Sequence, residues 1–140
     1  MSILYRELLA SDLDTALVIW NDSEGIGLSA ADSIEGLEKF LVRNPGFSFA
    51  AVDNDIVVGA VLCGHDGRRG YLHHLAISTA YRRKGIGSAL VDHCLRALRA
   101  NGIMKCHLFI FDSNIGGFDF WRAIGWTHRG ELAMMSAWTS

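Results

Sequence analysis

Apolar residues recur along the chain with two spacings, and each spacing predicts a different kind of element. Three segments carry apolar residues at intervals of three and four, which predicts amphipathic helices that begin near Ser11, near Asp32 and at Ile86. Short runs rich in strand-forming residues predict β-strands between and around these helices. The runs lie at 3–8, 47–52, 56–63, 72–77, 103–111 and 131–138.

Local signals place the ends of several elements. Ser11 followed by Asp14 predicts a capping box at the start of the first helix. The asparagine, proline and glycine at 44–46 end the second helix. The polar segment 53–55 predicts a tight hairpin between two strands, and Gly59 in the following strand predicts a bulge.

The segment 72–98 contains a strand, a polar loop and a helix in direct succession. The strand ends at Ile77, and apolar residues at helical spacing resume at Ile86. The run at 103–111 follows this helix, and a helical crossover would place it parallel to the strand 72–77. Two parallel strands joined in this way predict a ligand site at the strand ends.

Composition and charge narrow the class of protein. The 140 residues predict one domain, 1–140, that folds without a metal or a disulfide, and the three cysteines Cys63, Cys94 and Cys106 are expected to be free, buried thiols. No apolar run reaches the roughly 18 residues of a membrane helix, and no signal-peptide pattern is present, so we expect a cytoplasmic protein without a membrane partner. The net charge of -2 argues against nucleic acid as a partner.

Three cations and two glycines cluster at the start of the helix that begins at Ile86. Glycine lets the backbone approach a ligand closely, and the free N–H groups of a helix start suit a phosphate. A helix end contributes only about 0.3 to 2 kcal/mol toward a bound charge, whereas micromolar affinity requires about 8 kcal/mol. Most of the ligand must therefore be held elsewhere, along the preceding strand or in a cleft beside it. The residues of this basic loop are Arg82, Arg83, Lys84, Gly85 and Gly87.

The spacing Arg82-x-x-Gly85-x-Gly87 after an apolar strand resembles the acetyl-coenzyme A signature of the GCN5-related N-acetyltransferases, the GNAT family. Nucleotide-binding motifs fit less well. The third glycine of a dinucleotide fingerprint would fall at Leu90, and no Gly-Lys-Ser/Thr sequence is present.

A second segment near the C-terminus is similar to the family's second motif. Asn114, Gly125 and Trp126 match that motif, whereas Trp121 stands where a tyrosine is expected. The resemblance therefore covers nearly the whole chain. It implies the α/β fold of the family: a mixed, mostly antiparallel sheet splayed at a central parallel pair, with helices on both faces.

The resemblance also implies a function, the transfer of an acetyl group from acetyl-CoA, as co-substrate, to a primary amine of a small molecule or peptide. Backbone groups at the end of the strand 72–77 would bind the pantetheine arm and polarise the thioester carbonyl. The basic loop and the start of the helix would hold the diphosphate. The cofactor-binding residues implied are Leu75, Ala76, Ile77, Arg82, Arg83, Lys84, Gly85, Ile86, Gly87, Ser88, Asn114 and Trp121.

The reaction needs a base, because an amine with a pKa of about 10.4 must lose a proton, which costs roughly 4 to 5 kcal/mol at neutral pH. Histidine suits this role. The strand 71–77 is similar to that of family members whose two catalytic histidines would fall at Tyr71 and His73. Since neighbouring strand residues point to opposite faces, only one of His73 and His74 is expected to face the cleft. We predict His73 as the general base, through a water, with Tyr71 beside it; the alternative is that both histidines only pack in the sheet.

The acceptor site and two other functions stay open at this stage. The polar segment 21–31 is a connector that borders the acceptor pocket in the resembled family, so Asp22 and Glu24 are candidates for binding a cationic amine. Because an indole cannot act as an acid, Trp121 favours slow turnover or a non-catalytic acyl-CoA binding or sensing domain. A nucleotide-binding module without coenzyme A is a further alternative. Dimers are frequent in the resembled family, which makes a homodimer a further expectation.

Overall fold

The computed structural model describes residues 2–140. The chain divides into a larger unit, Met1–Phe109, which contains the sheet, and a smaller unit, Ile110–Ser140. The elements in chain order are β1 Leu4–Glu7, α1 Leu13–Asn21, α2 Ile34–Arg43, β2 Phe49–Asp53, β3 Ile56–His65, β4 Gly70–Ile77, α3 Ile86–Ala100, β5 Cys106–Leu108 and, in the smaller unit, α4 Ile115–Ala123.

The strands of residues 2–140 form a sheet in the order β1-β2-β3-β4-β5. Strands β1 to β4 pair in antiparallel fashion, and β5 pairs with β4 in parallel after the crossover through α3. This confirms the predicted mixed, mostly antiparallel sheet. The parallel pairing runs only from Gly70↔Cys106 to Leu72↔Leu108, so the β4–β5 ladder ends there.

Helices cover both faces of the sheet, as predicted, because successive strand residues point to opposite sides. Ala60 of β3 packs in a buried cluster with Trp20 of α1 and Leu37 of α2. At the neighbouring Gly59, a Cβ atom would lie 3.4 Å from a methyl group of Leu90 in α3. The helices α1 and α2 therefore share one face, and α3 lies on the other.

The helix α1 begins differently from the predicted capping box. The N–H of Leu9 donates to Asp12 Oδ2 at 2.8 Å, and Arg6 binds both oxygens of the same carboxylate at 2.7 and 3.0 Å. Burial alone would raise the pKa of Asp12, but the bonds from Arg6 and Leu9 outweigh it and lower that pKa. The predicted pairing of Ser11 with Asp14 is wrong, because Arg6 selects the buried Asp12 while Asp14 stays exposed.

The predicted hairpin and bulge both form. Asn54 and Asp55 have φ values of 49° and 65°, the left-handed conformation that a tight hairpin turn requires and that short polar side chains tolerate. The register between β2 and β3 shifts beside Gly59, so Val58 is an extra residue without a partner opposite.

The helix α2 ends at Asn44, which is buried against β3. Its Nδ2 donates to the carbonyl of Phe40 at 3.3 Å, and its Oδ1 accepts from the N–H of His65 at 3.1 Å. A Cβ atom at Gly64 would lie 2.6 Å from Asn44 Cγ, so the glycine permits this close contact. Asn44 thereby fixes the C-terminal end of α2 on the sheet.

The smaller unit contains α4, whose start is capped by Asn114. Its Oδ1 accepts from the N–H of Gly117 at 2.9 Å. The strand predicted at 131–138 is wrong: this segment has no regular structure, and Trp138 is 95% exposed. Apolar composition does not make a strand without a neighbouring edge to pair with. As a result, the parallel pair of β4 and β5 lies at an edge of the sheet.

The three cysteines are free, as predicted; Cys63 and Cys94 are buried and Cys106 is half-buried. Burial raises the pKa of Cys106 to about 12, so its thiol stays protonated and unreactive at neutral pH. Within residues 2–140, no helix is long and apolar enough to cross a membrane, and no three His, Cys, Asp or Glu side chains gather as a metal site would require.

Candidate functional site

The basic loop joins β4 to α3 through two residues in the left-handed conformation. Arg83 has a φ of 63°, and Gly85, which directly precedes α3, has a φ of 81°. A Cβ atom at Gly85 would meet no atom within 4 Å, so the backbone angle, and not space, requires glycine there. The hydroxyl of Tyr81 donates to Asp53 Oδ2 at 2.6 Å and anchors the start of the loop to β2.

The start of α3 is left without a side-chain cap, because Gly85 occupies the capping position. The first N–H groups of a helix have no partners within the helix and carry partial positive charge. Arg82, Arg83 and Lys84 lie exposed next to them. Amides without a capping side chain and neighbouring cations together fit a diphosphate.

The end of β4 next to the basic loop is paired on one side only. Its pairing with β3 continues to Gly59↔Ile77, whereas its pairing with β5 ends at Leu72. No strand of the described chain therefore covers the other edge of 75–77, where backbone groups are open to an extended ligand. The carbonyl of Ile77 also accepts a hydrogen bond from Arg82 Nε at 3.0 Å, which links the strand end to the loop.

A bulge in β4 changes the directions of its side chains. Ala60 pairs with Ala76, but Leu62 pairs with His73, so β4 has one more residue than β3 in this interval. His74 has a left-handed φ of 57°, which interrupts the strand alternation. As a result, His73 and His74 line the same cavity. The prediction that only one of the two histidines faces the cleft is wrong.

This cavity lies between β4 and α2 and has a volume of about 500 Å³. That volume suits a small molecule or the end of a peptide. Its wall combines apolar side chains of the core with polar groups from α2 and from the connector that precedes it. The residues that bear on its chemistry are Asp32, Leu37, Lys39, Phe40, Arg43 and Leu62, besides the two histidines.

His74 is hydrogen-bonded to Asp32 in this cavity. The Nε2 of His74 lies 2.8 Å from Asp32 Oδ1, and the two side chains are only 15% and 10% exposed. The other carboxylate oxygen of Asp32 accepts from the N–H of Ser29 at 2.9 Å. The ring of Trp20 lies 5.5 Å from the His74 ring. The His74 imidazole is therefore held between a fixed carboxylate and a core aromatic ring.

His73 lies beside this pair without a hydrogen bond to it. Its ring is 6.2 Å from the ring of His74 and meets Phe40 edge-on at 5.9 Å. Burial is the largest cause that lowers the pKa of His73, and the charge of His74 adds to it, while Asp32 acts in the opposite direction. His73 is therefore neutral at pH 7 and able to accept a proton.

Three other predicted site residues lie outside the cavity wall. Tyr71 is half-buried on β4 and its ring lies 5.8 Å from His107 and 6.2 Å from Phe109. Asp22 and Glu24 are exposed in the connector after α1. The connector instead reaches the cavity through Gly27 and Ser29, and the carboxylate in the wall is that of Asp32.

The remaining two predicted cofactor residues, Asn114 and Trp121, belong to the smaller unit. Asn114 caps α4 as described above. Trp121 is half-buried and its ring packs edge-on against Phe120 at 5.0 Å and against Trp126 at 4.9 Å. Both contacts are apolar packing within the unit, and a role for Trp121 in coenzyme binding stays a prediction.

Sequence reasoning missed Asp32 and His74. The sequence places Asp32 at the start of a helix, and it does accept the N–H of Ser29, but the same carboxylate also binds His74. The pairing joins residues far apart in sequence, so no local spacing indicates it. The one available signal was the adjacent pair of histidines on a strand.

Comparison with known proteins gives consistent matches. The sequence profile described as the acetyltransferase (GNAT) family matches residues 13–126. An acetyltransferase of Pectobacterium atrosepticum is 32% identical over 95 residues, which are 68% of this chain and 60% of that protein. N-alpha-acetyltransferase 30 of Schizosaccharomyces pombe is 34% identical over 98 residues, 66% of this chain and 65% of that protein. The matched part thus spans less than two thirds of these relatives.

Solved structures share the fold. The PaiA N-acetyltransferase from Thermoplasma acidophilum, determined in complex with coenzyme A, superimposes with a TM-score of 0.78 at 24% identity, covering 88% of each chain. This similarity supports the assignment of the fold.

Proposed function

The chain belongs to the GNAT family of acetyltransferases, and from that premise we propose that it transfers the acetyl group of acetyl-CoA to a primary amine of a small molecule or peptide. The observation that carries the proposal is the layout of β4. One strand presents two histidines to a cavity, leaves the edge of 75–77 open, and leads into the basic loop before α3.

The basic loop fits the role of a coenzyme site. Gly85 keeps the first N–H groups of α3 uncovered, and Arg82, Arg83 and Lys84 add positive charge for the phosphates. The open edge of 75–77 would pair with the pantetheine arm. Bound acetyl-CoA supplies a thioester carbon for acyl transfer.

His73 is proposed as the proton acceptor. The reaction forms a bond between the amine nitrogen and the acetyl carbon and breaks the carbon–sulfur bond. The coenzyme leaves as a thiolate, which takes a proton from water. The amine loses a proton, and the neutral imidazole of His73 accepts it directly or through a water. The hydrogen-bonded side chains of His74 and Asp32 fix the cavity wall next to His73 and offer the amine a second polar contact. Tyr71 beside His73 on the strand stays a prediction for this chemistry.

The partners and the location are proposals of the same kind. The name N-alpha-acetyltransferase of the fission-yeast relative supports a peptide amine as acceptor. A cytoplasmic location rests on the sequence pattern, and a homodimer rests on the resemblance to the family.

The decisive experiment is detection of free thiol released from acetyl-CoA in the presence of a panel of amines and peptides. The protein's own thiols are shielded, so the background is expected to be low. His73→Gln should lower kcat about 100-fold and remove the acidic limb of the pH profile. His93→Gln is the matched control, because His93 is half-buried against Tyr5 and Phe49 on the α3 side of the sheet. An unaltered pH profile in His73→Gln would show that His73 is not the proton acceptor.

A second function, a non-catalytic acyl-CoA binding or sensing domain, is favoured by one observation. Trp121 offers no acidic proton at the place where the family carries tyrosine. Firm binding of acetyl-CoA in calorimetry without thiol release for any amine would support this second function and refute acetyl transfer.

A further inference from the structure

One face of α2 forms a wall of the cavity that His73 and His74 line, and the side chains on this face change in character along the helix. Gly36, Lys39, Phe40 and Arg43 recur at intervals of three and four, so they lie along a single face of the helix, and all of them line the cavity. An α-helix rises about 10 Å over the span from Gly36 to Arg43. The cavity therefore extends along the helix, with one end near the start of α2 and the other near its C-terminal end.

The first end is polar. Asp32, just before α2, binds His74 there at 2.8 Å. In the middle, Phe40 meets His73 edge-on, and Leu37 and Leu62 complete an apolar section. An amine near His73 would therefore extend an apolar body past Phe40, toward the C-terminal end of α2.

The second end carries a cation without a carboxylate partner. Lys39 is paired, since its Nζ lies 3.6 Å from Glu35 Oε1. Arg43 also lines the cavity, but it forms no ion pair in the part of the chain that the structure describes. A guanidinium binds carboxylate and phosphate groups through paired N–H donors. A cavity wall with an unpaired arginine favours a ligand that brings the missing negative charge.

We infer that the acceptor is a primary amine that carries an anionic group, a carboxylate or a phosphate, at its other end, and that a short apolar body joins the two ends. The inference rests on the proposed acetyl transfer and names the substrate class of the same site. The amine lies at His73, the apolar body packs on Phe40, and the anion binds Arg43. Short peptides with a free carboxylate and amino acids with a terminal amine belong to this class.

Matched acceptor pairs test the inference in the thiol-release assay. Aminohexanoate is compared with its amide, and aminohexyl phosphate with aminohexanol; in each pair only the anion changes. We expect the KM of the preferred anionic member to be about tenfold lower than that of its neutral partner. Added salt should reduce this difference, because Arg43 is exposed. The pair with the larger difference identifies carboxylate or phosphate as the natural group.

Two variants assign the effect to Arg43. Arg43→Gln should abolish the difference in KM within the pair. Arg99→Gln is the matched control, because Arg99 is also an exposed arginine in the last turn of its helix, but on α3 at the opposite face of the sheet. Equal KM values within both pairs, or a difference that persists in Arg43→Gln, would overturn the inference while acetyl transfer stands.

Calorimetric titration with the same compounds separates this inference from the proposed function. It detects acceptor binding without turnover. If no amine releases thiol, saturable binding of an anionic member that is lost in Arg43→Gln would still support the anion contact, and equal binding of both members would refute it.

Discussion

Replacing Asp32 with asparagine tests the histidine arrangement most directly. In the native protein the carboxylate of Asp32 accepts from both His74, at 2.8 Å, and the N–H of Ser29, at 2.9 Å. Asparagine has nearly the same shape but carries no charge and keeps only one acceptor oxygen. One of the two donors therefore loses its partner, and the remaining bond loses its charge assistance.

The size of the effect follows from the burial of the pair. The side chains of His74 and Asp32 are 15% and 10% exposed, so solvent compensates little for the lost bond. Charge-assisted hydrogen bonds contribute about 1.5 to 3 kcal/mol, and we expect Asp32→Asn to lower the free energy of unfolding by about 2 kcal/mol. With an unfolding entropy of about 2.1 cal/mol/K per residue, this corresponds to a Tm about 7 °C lower.

The pH profile should move as well. Asp32 is the group that raises the pKa of His73 against burial and the charge of His74. Without the carboxylate, the pKa of His73 falls further, so neutral His73 persists to lower pH. The acidic limb of kcat/KM should therefore shift to lower pH in Asp32→Asn.

Thermal unfolding and thiol release measured across the acidic range check both effects. Asp14→Asn on α1 is the matched control, because Asp14 is exposed, and it should leave both quantities unchanged. An Asp32→Asn variant with the native Tm and the native acidic limb would show that the hydrogen bond between Asp32 and His74 does not hold the site together.

Three further predictions concern the loop, the fold and the proton donor. Gly85→Ala should lower the free energy of unfolding by about 1 kcal/mol, because its φ is left-handed, and should weaken the binding of coenzyme A measured by calorimetry. Gly67→Ala, with φ 91°, should lower the free energy of unfolding equally without affecting the binding of coenzyme A. Equal affinities for coenzyme A in both variants would refute the loop assignment. Asp12→Asn should lower the free energy of unfolding at pH 7, measured by urea denaturation, by about 1 to 2 kcal/mol. Because the folded pKa of Asp12 is lowered, the difference from the native protein should shrink as pH falls below about 4; a constant difference would contradict the pairing with Arg6. Trp121→Tyr should raise kcat, because the phenol supplies a proton. An unchanged rate and pH profile would show that Trp121 does not cause slow turnover.

The sequence predicted the elements well where local patterns determine them. The helix from Ile86 and the turn at Asn54 and Asp55 follow from periodicity and from residues that tolerate left-handed angles. The segment 131–138 has the same apolar content as a strand but no paired edge in residues 2–140, and composition does not reveal the missing partner.

The candidate site was less accessible to sequence reasoning. The basic loop was recognisable because its glycines and cations lie within a few residues of each other. The bulge at His74 was not, because it depends on the register of β4 against β3. Alternation along an ideal strand gave the opposite direction for that side chain, and Asp32 could be linked to it only through the folded sheet.

The bulge and the hydrogen bond between His74 and Asp32 depend on each other physically. A left-handed φ at a histidine costs about 1 to 2 kcal/mol, which is comparable to the contribution of a charge-assisted hydrogen bond. The contact with Asp32 thus offsets the backbone angle of His74, and that angle in turn directs the imidazole to Asp32. Because His73 and the open edge of 75–77 continue on the same strand, the angle at His74 also sets the direction of the proposed base relative to the coenzyme site. A strand holds such a relation more rigidly than two separate loops would.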